Sequence, residues 1–119
     1  MDVSSAKYVL ENVTCPVVFV PFEVGKSVYT GKNFMKDLGL PTGLAYAVNC
    51  GGLRPSWDPI TALFSVFGEN DYWLLSNAGR IVIDDNGYTD FVQEQGNHKV
   101  LLRLKSDEDT ACFLEKYMY

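Results

Sequence analysis

The sequence has few of the residues that build metal sites and disulfide frameworks. It contains one histidine, His98, and three widely separated cysteines, Cys15, Cys50 and Cys112, none of them in a C-x-x-C pair. A zinc site needs three or four nitrogen or sulfur ligands, and a disulfide framework needs paired cysteines. We therefore expect neither feature. We expect the three thiols to be buried or inert, because free cysteine is among the most buried residue types.

Long apolar runs and local clusters of positive charge are also lacking. No stretch approaches the roughly 20 apolar residues that span a bilayer, and the acidic N-terminus lacks the apolar core of a signal peptide. The net charge is −5, and the ten basic residues are scattered along the chain. Nucleic acids and anionic membranes bind clustered lysine and arginine. The sequence therefore predicts a cytoplasmic protein that binds neither nucleic acid nor membrane.

The first half of the chain has the pattern of an α/β protein. A short helix is predicted at 6–11, capped by Ser4 or Ser5. The continuous apolar run Pro16–Phe22 predicts a strand buried on both faces, as in a parallel sheet covered by helices. Further helices are predicted at 31–38 after the N-cap Thr30, with a stripe of Phe34, Met35 and Leu38, at 43–48, and from the N-cap Asp58 through Pro59 to Phe67.

The second half is dominated by short strand patterns, at 72–75, 80–83, 88–92 and 100–104. Asp85-Asn86-Gly87 predicts a hairpin with a type I′ turn, which needs positive φ at both central residues. A last helix is predicted from Ser106 through Tyr117. Residues 1–119 are thus expected to form one α/β domain, in which a buried strand with helices is followed by a small antiparallel β-layer and a C-terminal helix.

Two features that could carry chemistry have simpler explanations. Gly25-Lys26-Ser27 follows a predicted strand, as in a phosphate-binding loop, but that loop needs a glycine five positions earlier, where the chain has Val20. A turn from strand to loop is expected instead. His98 lies between the polar residues Asn97 and Lys99 with nothing nearby in sequence to orient it. We expect a solvated surface residue rather than an acid–base catalyst.

The segment from Arg54 to Leu63 has two interpretations. Asp58 followed by Pro59 is typical of a capped helix start with a purely structural role. Alternatively, the Asp58 carboxylate at a helix N-terminus, beside the large ring of Trp57, could contribute to a metal site and stack on a planar ligand. The residues of the segment leave both interpretations open.

Four stretches in the same order resemble the C-terminal part of the inosine/uridine-preferring nucleoside hydrolases. They are the helix pattern at 6–10, the run from Pro16 to Gly25 with Val28-Tyr29-Thr30-Gly31, the Ser56-Trp57-Asp58-Pro59 segment at the position of the family's His-Asp-Pro motif, and the tail from Gly79 to the strand near Val100. The resemblance covers nearly the whole chain. It implies a nucleoside-hydrolase-like α/β fold.

The resemblance also implies a chemistry. Members of this family hydrolyse the N-glycosidic bond of ribonucleosides, with a bound Ca²⁺ that holds the attacking water and the ribose diol. Asp58 falls on a calcium ligand of the family, and Trp57 replaces a histidine that helps the base to leave. Indole has no proton to give in this pH range, but Trp57 could stack on the base. Tyr46 falls where the family places aromatic residues near the base.

The acidic cluster that supplies the family's general base and most of its calcium ligands has no counterpart in this sequence. Ca²⁺ takes about six to eight oxygen ligands, so Asp58 alone is too little. No catalytic residue is therefore assigned, and enzymatic activity stays open. One hypothesis is a nucleoside hydrolase that is inactive or is completed by a complementary chain. The alternative is a non-catalytic module that forms homo-oligomers or binds a partner, because a piece of an α/β sheet leaves strand edges and apolar faces uncovered.

Overall fold

The chain folds as a mixture of helices and strands. The computed structural model describes residues 2–36 and 39–118, with the side chain of Cys50 left out. Within these residues lie α1 Val3–Asn12, β1 Val17–Phe19, α2 Phe22–Gly25, β2 Tyr29–Thr30, a 3₁₀ helix Phe34–Lys36, α3 Pro41–Cys50, β3 Arg54–Pro55, α4 Trp57–Phe67, β4 Trp73–Leu75, β5 Arg80–Ile83, β6 Thr89–Val92, β7 His98–Arg103 and α5 Asp107–Met118. The predicted class, a mixture of helices and strands, is therefore confirmed.

The chain divides into two compact units. The first comprises Met1–Phe19 and Leu75–Leu101, and the second comprises Val20–Leu74 and Leu102–Tyr119. The strands form a three-stranded sheet of order β1-β7-β4 and two separate antiparallel pairs, β2-β3 and β5-β6. None of the helices in the described part of the chain is long and apolar enough to cross a bilayer.

In the first unit, β1 lies in a parallel pair, as the apolar run predicts, but its partner is β7, which was expected in the antiparallel layer, and β1 is shorter and less buried than expected. Val17 is in register with His98, and Phe19 with Val100. Val18 is exposed, and β1 is one of the two edge strands of the sheet. The strand ends at Phe19, and Phe22, the last residue of the apolar run, begins α2. The prediction of a strand buried on both faces is therefore wrong.

The helix α1 and the hairpin of β5 and β6 complete the first unit, and α1 packs against β5. The helix is capped by Asp2, whose Oδ1 accepts from the Ser5 backbone N–H at 3.0 Å, and not by Ser4 or Ser5. The predicted hairpin is present, with Ile83 in register with Thr89. Its loop is longer than a type I′ turn: Asp84 accepts from the N–H groups of Asn86 and Tyr88, and of the described loop residues only Gly87 has positive φ.

In the second unit, the core lies around α4 and α5. Ile60, Trp73 and Leu114 are fully buried. Phe113 stacks on Tyr72, with ring centroids 4.1 Å apart, and contacts three more rings, those of Phe67, Trp73 and Tyr117. Such aromatic pairs add to the free energy gained from burial. The predicted N-cap of α5 is confirmed, since Ser106 Oγ accepts from the Asp109 N–H at 3.1 Å.

The helix predicted at 31–38 is replaced by a strand, a loop and one turn of 3₁₀ helix. Thr30 belongs to β2 and pairs with Arg54, so it is not an N-cap. The next three backbone N–H groups, of Gly31, Lys32 and Asn33, all donate to the carboxylate of Glu115 on α5, at 2.6, 2.8 and 3.0 Å. Among the described residues of this segment, Phe34–Lys36 are the helical ones, and Leu38 of the predicted stripe lies outside the described residues.

Two of the cysteines, expected to be buried or inert, are not buried. Cys15 and Cys112 are exposed free thiols, whereas the side chain of Cys50 lies outside the described part of the chain. Cys112 is on α5 in the second unit and Cys15 precedes β1 in the first. The two exposed thiols therefore belong to different units, and their reactivities can be compared as probes of each unit.

We predict that Glu115→Ala destabilises the second unit by about 2 kcal/mol, because it removes the acceptor of three charge-assisted hydrogen bonds. Glu108→Ala on the same helix is the matched control. Glu108 is exposed in the first turn of α5, and its loss is expected to cost less than about 1 kcal/mol. Urea unfolding measures both. Equal losses in the two variants would show that Glu115 does not anchor the loop.

Candidate functional site

Trp57, the first predicted substrate-binding residue, is held firmly at the start of α4. Its indole Nε1–H donates to the backbone oxygen of Phe22 at 2.8 Å, and its ring stacks on the Phe22 ring with centroids 5.4 Å apart and planes at 24°. Gly25 allows this approach, because a Cβ there would lie 2.6 Å from Trp57 Cδ1. Trp57 is half-buried, so part of its surface stays accessible.

The segment before Trp57 is fixed by a buried hydroxyl pair. Ser56 occupies the N-cap position of α4, but its hydroxyl makes no capping bond to the helix. It lies 2.6 Å from the hydroxyl of Thr30, and both residues are almost completely buried. The Ser56 N–H donates to the oxygen of Gly25 at 3.1 Å. These bonds tie the start of α4 to β2 and α2, which orients Trp57.

Asp58, the predicted metal ligand, is exposed in the first turn of α4. The helix begins at Trp57, so Asp58 is its second residue and not the N-cap, and Pro59 is the third. The predicted cap is therefore wrong. The structural role that remains for Asp58 is electrostatic, because a carboxylate near a helix N-terminus interacts favourably with the helix dipole.

Tyr46, the second predicted substrate-binding residue, lies on α3 with neighbours of its own. Its ring is tilted against that of Phe34, with centroids 5.0 Å apart. A Cβ on Gly31 would overlap the Tyr46 ring, so this position, with φ of 120°, requires glycine both for space and for backbone conformation. Trp57 is thus positioned by Phe22 and Gly25, and Tyr46 by Phe34 and Gly31. Only Trp57 and Asp58 are brought together directly, as neighbours on α4.

The donors near Asp58 do not fit a calcium ion. Across residues 2–36 and 39–118 there is no group of three or more histidine, cysteine, aspartate or glutamate side chains placed to hold a metal. One exposed carboxylate supplies at most two of the about six to eight oxygens that Ca²⁺ requires. The calcium site implied by the resemblance therefore does not fit the described residues of this chain alone.

The environment of His98 differs from the solvated surface position that the sequence predicts. It is 1% exposed, at the start of β7 and not on the surface. Its Nδ1 accepts from the Ile81 N–H at 2.9 Å, and its ring meets that of Phe19 edge-on with centroids 5.5 Å apart. Its Nε2 is buried without a hydrogen-bond partner among the described residues. The available signal was the period of two, which places His98 on the same face as the buried Val100.

Burial lowers the pKa of His98, and the positive charge of Arg80 on β5 lowers it further. The hydrogen bond from Ile81 acts in the same direction, because a protonated Nδ1 could not accept it. Neutral imidazole therefore suits this site, and in the folded chain Nε2 carries the proton. His98 touches no other candidate site residue described above, so its position indicates a structural role.

The lowered pKa predicts how stability depends on pH. Below the ordinary histidine pKa of 6.5 the unfolded chain binds more protons at His98 than the folded chain does, so acidification favours unfolding. We expect the wild type to lose up to about 1.4 kcal/mol per pH unit from this group. His98→Asn keeps an acceptor for Ile81 but cannot titrate. Urea unfolding at about pH 7.5 and about pH 5.5 should show a smaller pH effect in the variant; an identical effect would contradict this role.

Comparison of the chain with protein-family models, with curated proteins and with solved structures finds no match. The basis for a function is therefore the geometry just described: a fixed, half-buried Trp57, an exposed Asp58 beside it, and a separate Tyr46. This set contains two aromatic side chains, those of Trp57 and Tyr46, and one carboxylate, that of Asp58.

Proposed function

We propose that this chain is a nucleoside-hydrolase-like protein that does not hydrolyse nucleosides by itself and that associates with a second copy of itself through α3. The family relation is inferred from the four sequence stretches, and the mixed α/β architecture with its parallel β1–β7 pair is compatible with it. The observation that carries the association is the uncharged, exposed apolar face of α3. The Asp58 environment supports the lack of independent catalysis.

The apolar face of α3 consists of Leu44 and Val48 within the helix and of Leu40, its N-cap residue, and all three side chains are exposed. They are spaced by four residues, so they lie along one side of the helix. The opposite side of α3 packs inward through the buried Gly43 and the half-buried Tyr46. An exposed stripe of large aliphatic side chains is unfavourable in water and is typical of a surface that is covered in an assembly.

Charge favours a second copy as the occupant of this face. The chain carries a net charge of −5, so two copies repel each other over most orientations. No residue of α3 is charged, which allows two α3 helices to meet without placing like charges in the interface. A two-fold arrangement is also the commonest form of self-association, because one patch serves both copies.

Two valines provide a matched test of this interface. Val48 on α3 and Val66 on α4 are both helical and both 73% exposed. We expect Val48→Glu to weaken self-association by about tenfold or more, because it buries a charge in an apolar contact. Val66→Glu adds the same charge outside the proposed interface and should leave association nearly unchanged. Sedimentation equilibrium over a wide concentration range measures both.

The association proposal fails in either of two cases. A wild-type chain that stays monomeric at all concentrations would exclude it. Equal weakening by Val48→Glu and Val66→Glu would show that net charge, rather than the α3 face, controls association. Circular dichroism of both variants establishes that each is folded, and folding is expected because both side chains are exposed.

A second candidate function is a nucleosidase whose missing carboxylates come from a complementary chain. The supporting observation is the geometry of Trp57, which is fixed by its bond to Phe22 beside the exposed carboxylate of Asp58. In such an assembly Trp57 would stack on the base of a nucleoside, and Asp58 would be one of several oxygen ligands of Ca²⁺. The proposal of a non-catalytic, self-associating chain requires neither the stacked base nor the bound Ca²⁺.

We predict that the purified chain releases no base from inosine or uridine, with or without Ca²⁺, and that Ca²⁺ does not raise its melting temperature. Asp58→Asn tests whether any base release or Ca²⁺ effect that is observed depends on this carboxylate. Asp109→Asn, in the first turn of α5, is its matched control. Calcium-dependent base release that Asp58→Asn abolishes and Asp109→Asn preserves would overturn the proposal of a non-catalytic chain.

A further inference from the structure

Three lysines, two from one loop region and one from α5, line one pocket of the second unit. The pocket has a volume of about 420 Å³ and is lined by Lys32, Lys36 and Lys116 together with Tyr29, Leu53 and Cys112. We call it the lysine pocket. Asn33, Ala111 and Glu115 complete its wall. None of Tyr46, Trp57 and Asp58 contributes to it, so it is separate from the candidate site described above.

The charge of this pocket is opposite to that of the chain. The protein carries a net charge of −5, yet three of its ten basic residues line this one pocket. Within the described part of the chain, none of the three ammonium groups lies within ion-pair distance of a carboxylate. Lys36 Nζ donates to Asn33 Oδ1 at 2.7 Å, which is a neutral acceptor. Among the described residues, the three positive charges are therefore not neutralised by a carboxylate and can face a ligand.

The one carboxylate in the wall is already occupied. Glu115 accepts from the N–H groups of Gly31, Lys32 and Asn33, and its backbone oxygen accepts from Asn33 Nδ2 at 3.3 Å. Successive backbone N–H groups that converge on an anion offset its charge. Glu115 therefore fixes the loop that carries Lys32 and Lys36 against the helix that carries Lys116. The main effect of Glu115 on the pocket is therefore structural, and its negative charge offsets little of the positive charge of the lysines.

We propose that the lysine pocket binds a small organic phosphate that carries a planar ring. Three ammonium groups suit a phosphate dianion, for which lysine is a frequent ligand. The exposed ring of Tyr29 and the side chains of Leu53 and Ala111 offer an apolar wall on which a ring can lie. The volume is within the range of small-molecule sites. This inference does not depend on the proposed function, because it uses neither the α3 face nor Asp58.

Cys112 makes the pocket measurable without knowledge of the natural ligand. It is an exposed thiol in the wall, and Cys15 is an exposed thiol in the other unit. We expect phenyl phosphate to slow the alkylation of Cys112 by iodoacetamide about threefold or more near saturation, with no change at Cys15. Phenol should protect neither thiol, and inorganic phosphate should protect Cys112 less than phenyl phosphate does. Peptide mass spectrometry resolves the two sites.

Lysine variants test whether the charges cause the protection. Lys32→Gln/Lys116→Gln should raise the Kd for phenyl phosphate by about tenfold or more, measured by titration calorimetry. Lys105→Gln is the control, because Lys105 is exposed in the same unit and does not line the pocket. Its Kd should stay within about twofold of the wild-type value. Unchanged melting temperatures would show that the variants are folded.

Three results would overturn the proposal. The first is equal protection of Cys15 and Cys112, which would indicate a general effect of the reagent. The second is an unchanged Kd in the double lysine variant. The third is protection by inorganic phosphate as strong as that by phenyl phosphate, since the apolar wall would then contribute nothing. Higher salt should weaken binding if the ammonium groups act as inferred, because exposed charges are screened.

Discussion

The carboxylate of Glu115 is the constraint on which the second unit's surface depends. Three consecutive N–H groups after β2 have no partner in a strand or helix of their own, and the Glu115 oxygens supply it. A buried or half-buried N–H without an acceptor would cost about 1–3 kcal/mol. The same bonds fix Gly31, against which the Tyr46 ring packs, and they hold Lys32 near α5. One side chain thus organises a loop, an aromatic contact and a charged pocket.

The chemistry open to the Trp57–Asp58 surface is limited by the number of oxygen donors. An aromatic ring can bind a planar ligand through dispersion and stacking, but hydrolysis of an N-glycosidic bond also requires a positioned water and a base. Asp58 is exposed in the first turn of α4 and is the one carboxylate among the candidate site residues. The proposed function therefore assigns binding without turnover to this surface, and in that proposal turnover would need groups from a second chain.

The sequence predicts well the elements whose signals are local. The helices α1, α3 and α5, the β5–β6 hairpin and β7 follow from periodicity, caps and turn residues within a few positions. The failures arise from partners distant in sequence. Thr30 pairs with Arg54 in the sheet, and its hydroxyl contacts that of Ser56. The loop that follows is held by hydrogen bonds to Glu115, which lies 84 residues after Gly31. His98 looks polar between its neighbours, but β1 and Gly79 enclose it. The lysine pocket is invisible in sequence for the same reason.

The distribution of charge connects the two surfaces proposed here. An acidic chain that must meet a second copy needs a region without charge, and α3 provides it. An acidic chain that binds an anion needs a local region of positive charge, and Lys32, Lys36 and Lys116 provide it. The surrounding negative charge lowers the affinity of that pocket for anions in general, because each anion must approach through an unfavourable field. The ligands that remain are those whose apolar part also contributes free energy, and this is why the ring, and not the phosphate alone, is expected to determine selectivity.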